Sequence, residues 1–167
     1  MKSDHHHNGL PNRLASGAAG GLAGAMALHG LRMASKRVFP ETVPPMTSNP
    51  DDYLVMNVER RLPKSIAYAI PTIVDIIAAK LLALGYGAVS GALCSVLPKR
   101  GSTLLRGACL GLFTWAVGYV GWLPRAGLMP PLKKQRPAQI AGPIVRHIMF
   151  GMITIGVSNL LQRKSCD

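Results

Sequence analysis

Four stretches of apolar residues, each about as long as a bilayer-spanning helix, follow one another along the chain. The first has 18 residues without a formal charge. As an α-helix it reaches about 27 Å, close to the roughly 30 Å hydrocarbon core of a bilayer. We therefore predict an all-α, multi-pass membrane protein with one four-helix domain over residues 14–161, a polar tail at 1–13 and a short tail at 162–167. The predicted spans lie at about residues 14–31, 77–97, 107–123 and 140–161.

The second stretch is longer than a single span. Its apolar residues recur every three or four positions from Ile66, but Pro71, Asp75 and Lys80 interrupt them. We expect this first part to lie along the membrane interface or to tilt into it, and the crossing itself to begin near Ile77.

The first stretch has a second interpretation, a secretory signal peptide. Arg13 precedes it, and Ala25-Met26-Ala27 resembles a cleavage site between small residues. Its core is built from Gly and Ala, whereas the core of a signal peptide is usually rich in Leu. We therefore favour a retained transmembrane helix.

Composition and charge support a lipid environment. Of the 167 residues, 49% are hydrophobic and 16% are charged, against about 25% charged in soluble domains. The net charge of +12 would suggest nucleic acid as the partner of a soluble chain. Here the basic residues cluster between the apolar stretches, where they face lipid headgroups, and no aromatic residues interleave with them. We expect the lipid bilayer as a partner and no nucleic acid.

Small residues spaced four apart recur in three of the four stretches. In lipid, helices associate through close backbone packing, which glycine at this spacing permits. We therefore predict a compact bundle. The predicted helix-packing positions are Gly17, Gly20, Gly21, Gly24, Gly87, Gly91, Gly107 and Gly111.

The two halves of the chain resemble each other weakly. Residues 17–22 (GAAGGL) are similar to residues 107–112 (GACLGL), and a Pro-Pro pair follows each. Beyond it lies an aromatic-glycine step, Tyr86-Gly87 in one half and Phe150-Gly151 in the other. This pattern predicts a parallel 2+2 internal repeat, with chance matches in Gly/Ala-rich sequence as the open alternative.

Several segments together resemble one family, the YagU-like inner-membrane proteins. The resemblance extends over about Leu14 to Leu161 and implies a multi-pass protein of the bacterial inner membrane. The family is a domain of unknown function, so the resemblance implies no catalytic residue. The segments are the Gly/Ala-rich first helix, Pro40 with Pro44-Pro45, residues 118–124 (GYVGWLP), residues 127–131 (GLMPP) and His147-x-x-Phe150-Gly151.

Five ionisable side chains fall within or at the ends of the apolar stretches. Such groups are costly in lipid and are therefore candidates for function, although they can also lie at headgroup depth and snorkel toward water. Asp75, Arg146 and His147 lie near the ends of neighbouring predicted spans, on the same side of the membrane. We therefore expect Asp75 to pair with Arg146 or His147 across the bundle. The five candidates are His29, Asp75, Lys80, Arg146 and His147.

Cofactor and catalytic signals are weak. His29 and His147 raise the question of a haem or metal site, but no cysteine or carboxylate spacing accompanies them, so we predict no metal and no cofactor. No nucleotide-binding, metalloprotease or serine-hydrolase motif occurs, so no catalytic residue is assigned. Tyr119 and Trp122 end the third stretch and are predicted interfacial anchors.

Two functions follow from this pattern. The first is a non-catalytic structural or accessory subunit, which packs through its small-residue helix faces against other membrane subunits or against itself. The alternative is a small transporter or channel in which Asp75, Lys80 and His147 line a polar path.

Overall fold

Five α-helices account for most of the described chain. The computed structural model describes residues 9–63, 65, 71–97 and 101–164. α4 continues into a π-helix over Ala116–Trp122 and a last α-turn over Leu123–Arg125. Short 3₁₀ turns lie at Pro40–Thr42 and Leu132–Lys134. The helices are α1 (Leu10–Val38), α2 (Pro50–Glu59), α3 (Thr72–Val96), α4 (Thr103–Trp115) and α5 (Pro137–Lys164).

Four helical segments are long and apolar enough to cross a membrane, which confirms the predicted all-α, four-span architecture. Three of them extend beyond the predicted spans at both ends, whereas α3 extends beyond its span only at the N-terminal end. In α1 the last turn contains Lys36 and Arg37, whose positive charge complements the negative end of the helix dipole. The four segments are Leu10–Val38, Thr72–Val96, Thr103–Arg125 and Pro137–Arg163.

α3 differs from the expectation for the second stretch. It begins at Thr72, directly after Pro71, and runs without interruption to Val96. Asp75 and Lys80 therefore belong to the same continuous helix as the apolar residues that follow them, and no break occurs at Ile77. Residues 66–70 of the predicted interfacial segment lie outside the described residues.

The four long helices pack in the order α3, α1, α5, α4. α1 packs against both α3 and α5, and α5 packs also against α4. The chain thus forms two antiparallel hairpins, α1 with α3 and α4 with α5, joined along a seam between α1 and α5. We call the end where α1 begins and α5 ends the terminal end, and the opposite end the loop end. α2 lies at the loop end and packs against α3.

Glycine lines both hairpins. A Cβ atom on Gly17 would lie 2.6 Å from the carbonyl oxygen of Gly91, and one on Gly21 would collide with Gly87. In the second hairpin, a Cβ on Gly107 would lie 2.6 Å from the Cα of Met152. These distances are shorter than any normal carbon contact, so only hydrogen at these positions allows the helices to approach this closely.

The seam between the hairpins uses a second set of small residues. A Cβ on Gly20 would strike the Thr154 carbonyl and approach Ser158, while one on Gly24 would meet Phe150. Thr154 is fully buried at this seam. Together with Gly111, which faces the His147 backbone, all eight glycines predicted for helix packing lie at helix–helix contacts within the chain.

The hairpins give a register for the predicted repeat. Gly17 contacts Gly91, and Gly107 contacts Gly151. If Gly17 corresponds to Gly107, the counterpart of Gly151 is Gly91 rather than Gly87, a shift of four residues or about one helical turn. The duplication itself stays a prediction.

The loop end is covered by the segment that follows the π-helix. Gly127 adopts a φ of 73°, a left-handed conformation that favours glycine, and turns the chain back. Leu123, Leu128 and Met129 are buried there in a small apolar cluster, on which Tyr53 of α2 also packs. This cap positions α2 and the π-helix at the same end of the bundle.

Candidate functional site

Charged residues mark both ends of the bundle. Each long helix contains an uncharged stretch of bilayer-like length, and the first charged residues beyond these stretches fall into two layers. We call them the terminal layer and the loop layer. The uncharged stretches are residues 14–31, 81–97, 107–124 and 147–162. The terminal layer holds Arg13, Arg106 and Arg163, and the loop layer holds Arg32, Lys80, Arg125 and Arg146.

Arg146 is the most buried cation of the loop layer. Only 6% of its surface is exposed, and its guanidinium donates hydrogen bonds to the backbone carbonyl of Thr42 at 3.3 Å and to the Thr42 hydroxyl at 3.5 Å. Gly142 makes room for this contact, since a Cβ there would lie 2.8 Å from the Thr42 Cβ. Arg146 thus fastens the connection after α1 onto α5.

The predicted pairing of Asp75 with Arg146 or His147 is wrong. Arg146 bonds Thr42, and the acidic side chain beside Asp75 is Glu59 at the end of α2. The physical reason is that α2 packs back against α3 and brings Glu59 to Asp75, while Thr42 occupies the Arg146 guanidinium.

Glu59 and Asp75 join α2 to α3 through two carboxyl groups. The hydrogen bond with Asp75 raises the pKa of Glu59 above its ordinary value of 4.5, and desolvation and the nearby charge of Asp75 act in the same direction. Two ionised carboxylates repel, so this contact is more favourable when one of them is protonated. It is therefore stable at low pH and is lost as the pH rises through the raised pKa of Glu59.

We expect α2 to loosen from α3 as the pH rises from about 4.5 upward, the direction set by the raised pKa of Glu59. A spin label at the exposed Val58, placed by Val58→Cys in a chain whose native cysteines are replaced, reports this motion through its spectral line shape. In Glu59→Gln the amide donates to Asp75 at every pH, so the line shape should stay constant. Equal pH dependence in both proteins would contradict the prediction.

His147 lies beside aromatic rings inside the bundle. Its Nδ1 is 2.8 Å from the Pro143 carbonyl oxygen. Since a carbonyl can only accept, Nδ1 carries the proton of this hydrogen bond. The His147 ring contacts the Tyr119 ring edge to face, with 5.5 Å between the ring centroids. Tyr119 in turn stacks on Trp115, with 6.4 Å between the ring centroids. Tyr119 and Trp122 pack against the apolar cap, and their anchoring at a membrane interface stays a prediction.

A polar cleft of about 230 Å³ opens at the loop end between α1, α2 and α3. Lys80 and His29 line it, so two of the predicted polar candidates come together there. Arg32 and Asp51 also line it and were missed by sequence reasoning. Burial raises the pKa of the Asp51 carboxyl above its ordinary value of 3.8, although Arg32 and then Lys80 act against this. The signal for Arg32 was its place as the first charge after residues 14–31.

The terminal end contains a second polar network that joins the hairpins. Gln162 donates to the hydroxyls of Ser16 at 3.0 Å and Ser158 at 3.2 Å, which ties α5 to α1. The Arg13 guanidinium donates to the Ser95 carbonyl at 2.6 Å and so ties α1 to α3. These hydrogen bonds hold the helix ends together, although the buried Nε of Arg13 has no hydrogen-bond partner among the described residues.

Within the described residues, no three His, Cys, Asp or Glu side chains converge as metal ligands. The five predicted polar candidates are distributed over three places. Asp75 lies at the α2–α3 contact, His29 and Lys80 line the cleft, and Arg146 and His147 lie on α5. Scans against protein-family models, curated proteins and solved structures find no match for this chain.

Proposed function

We propose that this chain is a non-catalytic, structural or accessory subunit of a larger membrane assembly, in the bacterial inner membrane that its YagU-like resemblance implies. One observation carries the proposal. The helices are closed against each other by backbone-to-backbone glycine contacts, as at Gly17 with Gly91 and Gly107 with Gly151. Such contacts favour a compact packing unit over a moving gate.

The distribution of polar groups supports the same proposal against the transporter alternative. A transport path needs polar side chains that converge near the middle of the membrane. Asp75 instead lies against Glu59, Lys80 lines the cleft, and His147 bonds the Pro143 carbonyl. Lys80 belongs to the loop layer, and His147 is not among the residues that line its cleft.

The sequence alone suggests that other subunits bind the glycine faces. Those faces are occupied within the chain, so contacts with other subunits cannot use them. The outer surfaces of α3 and α4 carry large apolar side chains. Leu81 and Leu93 on α3 are 63% and 65% exposed, and Phe113 on α4 is 67% exposed. We therefore assign subunit contacts to these flanking helices.

Mass spectrometry of protein ejected directly from native membrane vesicles tests the proposal. We expect at least one assembly of defined stoichiometry that is heavier than the single 17.8 kDa chain. Liposomes that hold the purified chain alone should show no more ion or solute flux than empty ones. The proposal would be overturned in favour of a transporter by two results together. The vesicles would release only the single 17.8 kDa chain, and the liposomes would show a flux that disappears in both Lys80→Ala and His147→Ala.

A further inference from the structure

The cleft at the loop end combines basic side chains from two helices. Arg32 and Lys36 lie one turn apart on α1, and Lys80 faces them from α3. The buried Ala79, 3% exposed, lies beside Lys80 at the cleft wall. The cleft is therefore a recess between packed helices and not a flat basic surface.

The charges in this recess leave one positive charge in excess. Three permanent cations face two carboxylates, those of Asp51 and Asp52. Asp52 already accepts a hydrogen bond from Asn49 at 2.8 Å, and Asn49 accepts one from Arg32 at 3.2 Å. Within the described residues, neither Lys36 nor Lys80 donates a hydrogen bond to another side chain or carbonyl. A singly charged anion would balance the cleft.

The depth of the cleft selects the kind of anion. Arg32 directly follows the uncharged stretch of α1, and Lys80 directly precedes that of α3, which places both where the hydrocarbon core ends and the headgroups begin. Basic side chains at this level attract anionic lipids. Below the cleft, α1 continues the same face with Met26, 66% exposed, against which an acyl chain can lie.

We propose that this cleft binds the phosphodiester headgroup of an anionic phospholipid, with Arg32, Lys36 and Lys80 as its ligands. The phosphodiester carries the single negative charge that the cleft lacks. Arg32, whose Nη2 already donates to Asn49 and to the Met46 sulfur, contributes its permanent charge and its remaining N–H donors. The two lysines contribute compact ammonium charges. The lipid would connect α1 to α3 at the loop end, beside the point where α2 docks.

Native mass spectrometry of the full chain in mild detergent tests the proposal with phosphatidylglycerol and phosphatidylcholine of identical acyl chains. We expect one phosphatidylglycerol to remain bound under conditions that remove phosphatidylcholine. The double variant Lys36→Ala/Lys80→Ala should weaken this binding by about thirtyfold, as two headgroup-level lysines predict. Lys133→Ala/Lys134→Ala removes the same charge from the exposed 3₁₀ turn of the same end and should leave the binding within about twofold, since screened surface charges contribute little.

Three results would overturn the inference. Equal retention of the two lipids by the unmodified chain would exclude an anion site, and this comparison does not depend on the folding of any variant. Equal weakening by both lysine pairs would mean general attraction to a basic protein. Displacement of the lipid by millimolar soluble glycerophosphoglycerol would assign the cleft to a free phosphodiester instead.

Discussion

Replacing Gly21 by Leu is expected to detach α3 from α1 and to lower the free energy of unfolding by about 3 kcal/mol or more, the upper range for overpacked cores. The new Cβ alone would collide with the Gly87 carbonyl and lie 3.1 Å from the Cα of Ala88. Both are backbone groups, which cannot move aside as a flexible side chain can. Even Gly21→Ala should therefore be destabilising, in the same direction and by less.

Titration with SDS from a mild micelle measures this effect. Far-UV circular dichroism follows all helices, whereas tryptophan emission follows only the second hairpin, because Trp115 and Trp122 both lie in its first helical segment. In Gly21→Leu the circular dichroism transition should move to lower SDS, while the native tryptophan emission is retained. Gly30→Leu is the matched control on the same helix, since nothing lies within 4 Å of a Cβ there. Equal midpoints for the two variants would contradict the prediction.

The membrane architecture could be predicted from sequence because it depends on local properties of the chain. A run of uncharged residues such as 14–31 has few alternatives to a spanning helix, and glycine at intervals of four identifies the face that permits close approach. Gly17 and Gly87 lie at such faces in the structure.

The partner of each face could not be predicted, because it depends on the order of the helices. A common membrane side predicts that Asp75 pairs with Arg146 or His147, but α2 packs back against α3 and Asp75 meets Glu59. The repeat was aligned on chemical similarity at Gly87, although backbone contact selects Gly91, one turn away. The types of residue in the sequence do not reveal the order in which the helices pack or the register between them.

The cleft was only partly predictable for the same reason. Lys80 and His29 were candidates because each is a polar residue in or beside an apolar stretch. Asp51 belongs to a separate short helix between them in sequence, and it joins them in the cleft only because α2 packs back against α3. A binding recess formed by three segments requires the tertiary contacts to be known.

Gly20→Leu is expected to separate the two hairpins while each hairpin stays paired. Gly20 and Gly21 are neighbours in sequence, so their side-chain directions differ by about 100° around the helix. Gly21 therefore faces α3, whereas a Cβ on Gly20 would strike the Thr154 carbonyl and lie 3.0 Å from the Ser158 nitrogen on α5. We expect a loss of about 3 kcal/mol, similar to that of Gly21→Leu, at a different interface. The nearby hydrogen bond from Gln162 to Ser16 should be lost with it.

Gly20→Leu and Gly21→Leu are distinguished by comparing the circular dichroism transition with the tryptophan emission transition in each variant. In the unmodified chain, circular dichroism and tryptophan emission should change together, because a closed bundle unfolds cooperatively. In Gly20→Leu they should separate into two transitions, since the hairpins no longer stabilise each other, and the tryptophan transition should move to lower SDS. Coincident transitions in Gly20→Leu would mean that the seam between α1 and α5 does not couple the hairpins. The stability of the bundle would then depend on the loop-end contacts of Arg146 with Thr42, which Arg146→Met would test in the same titration.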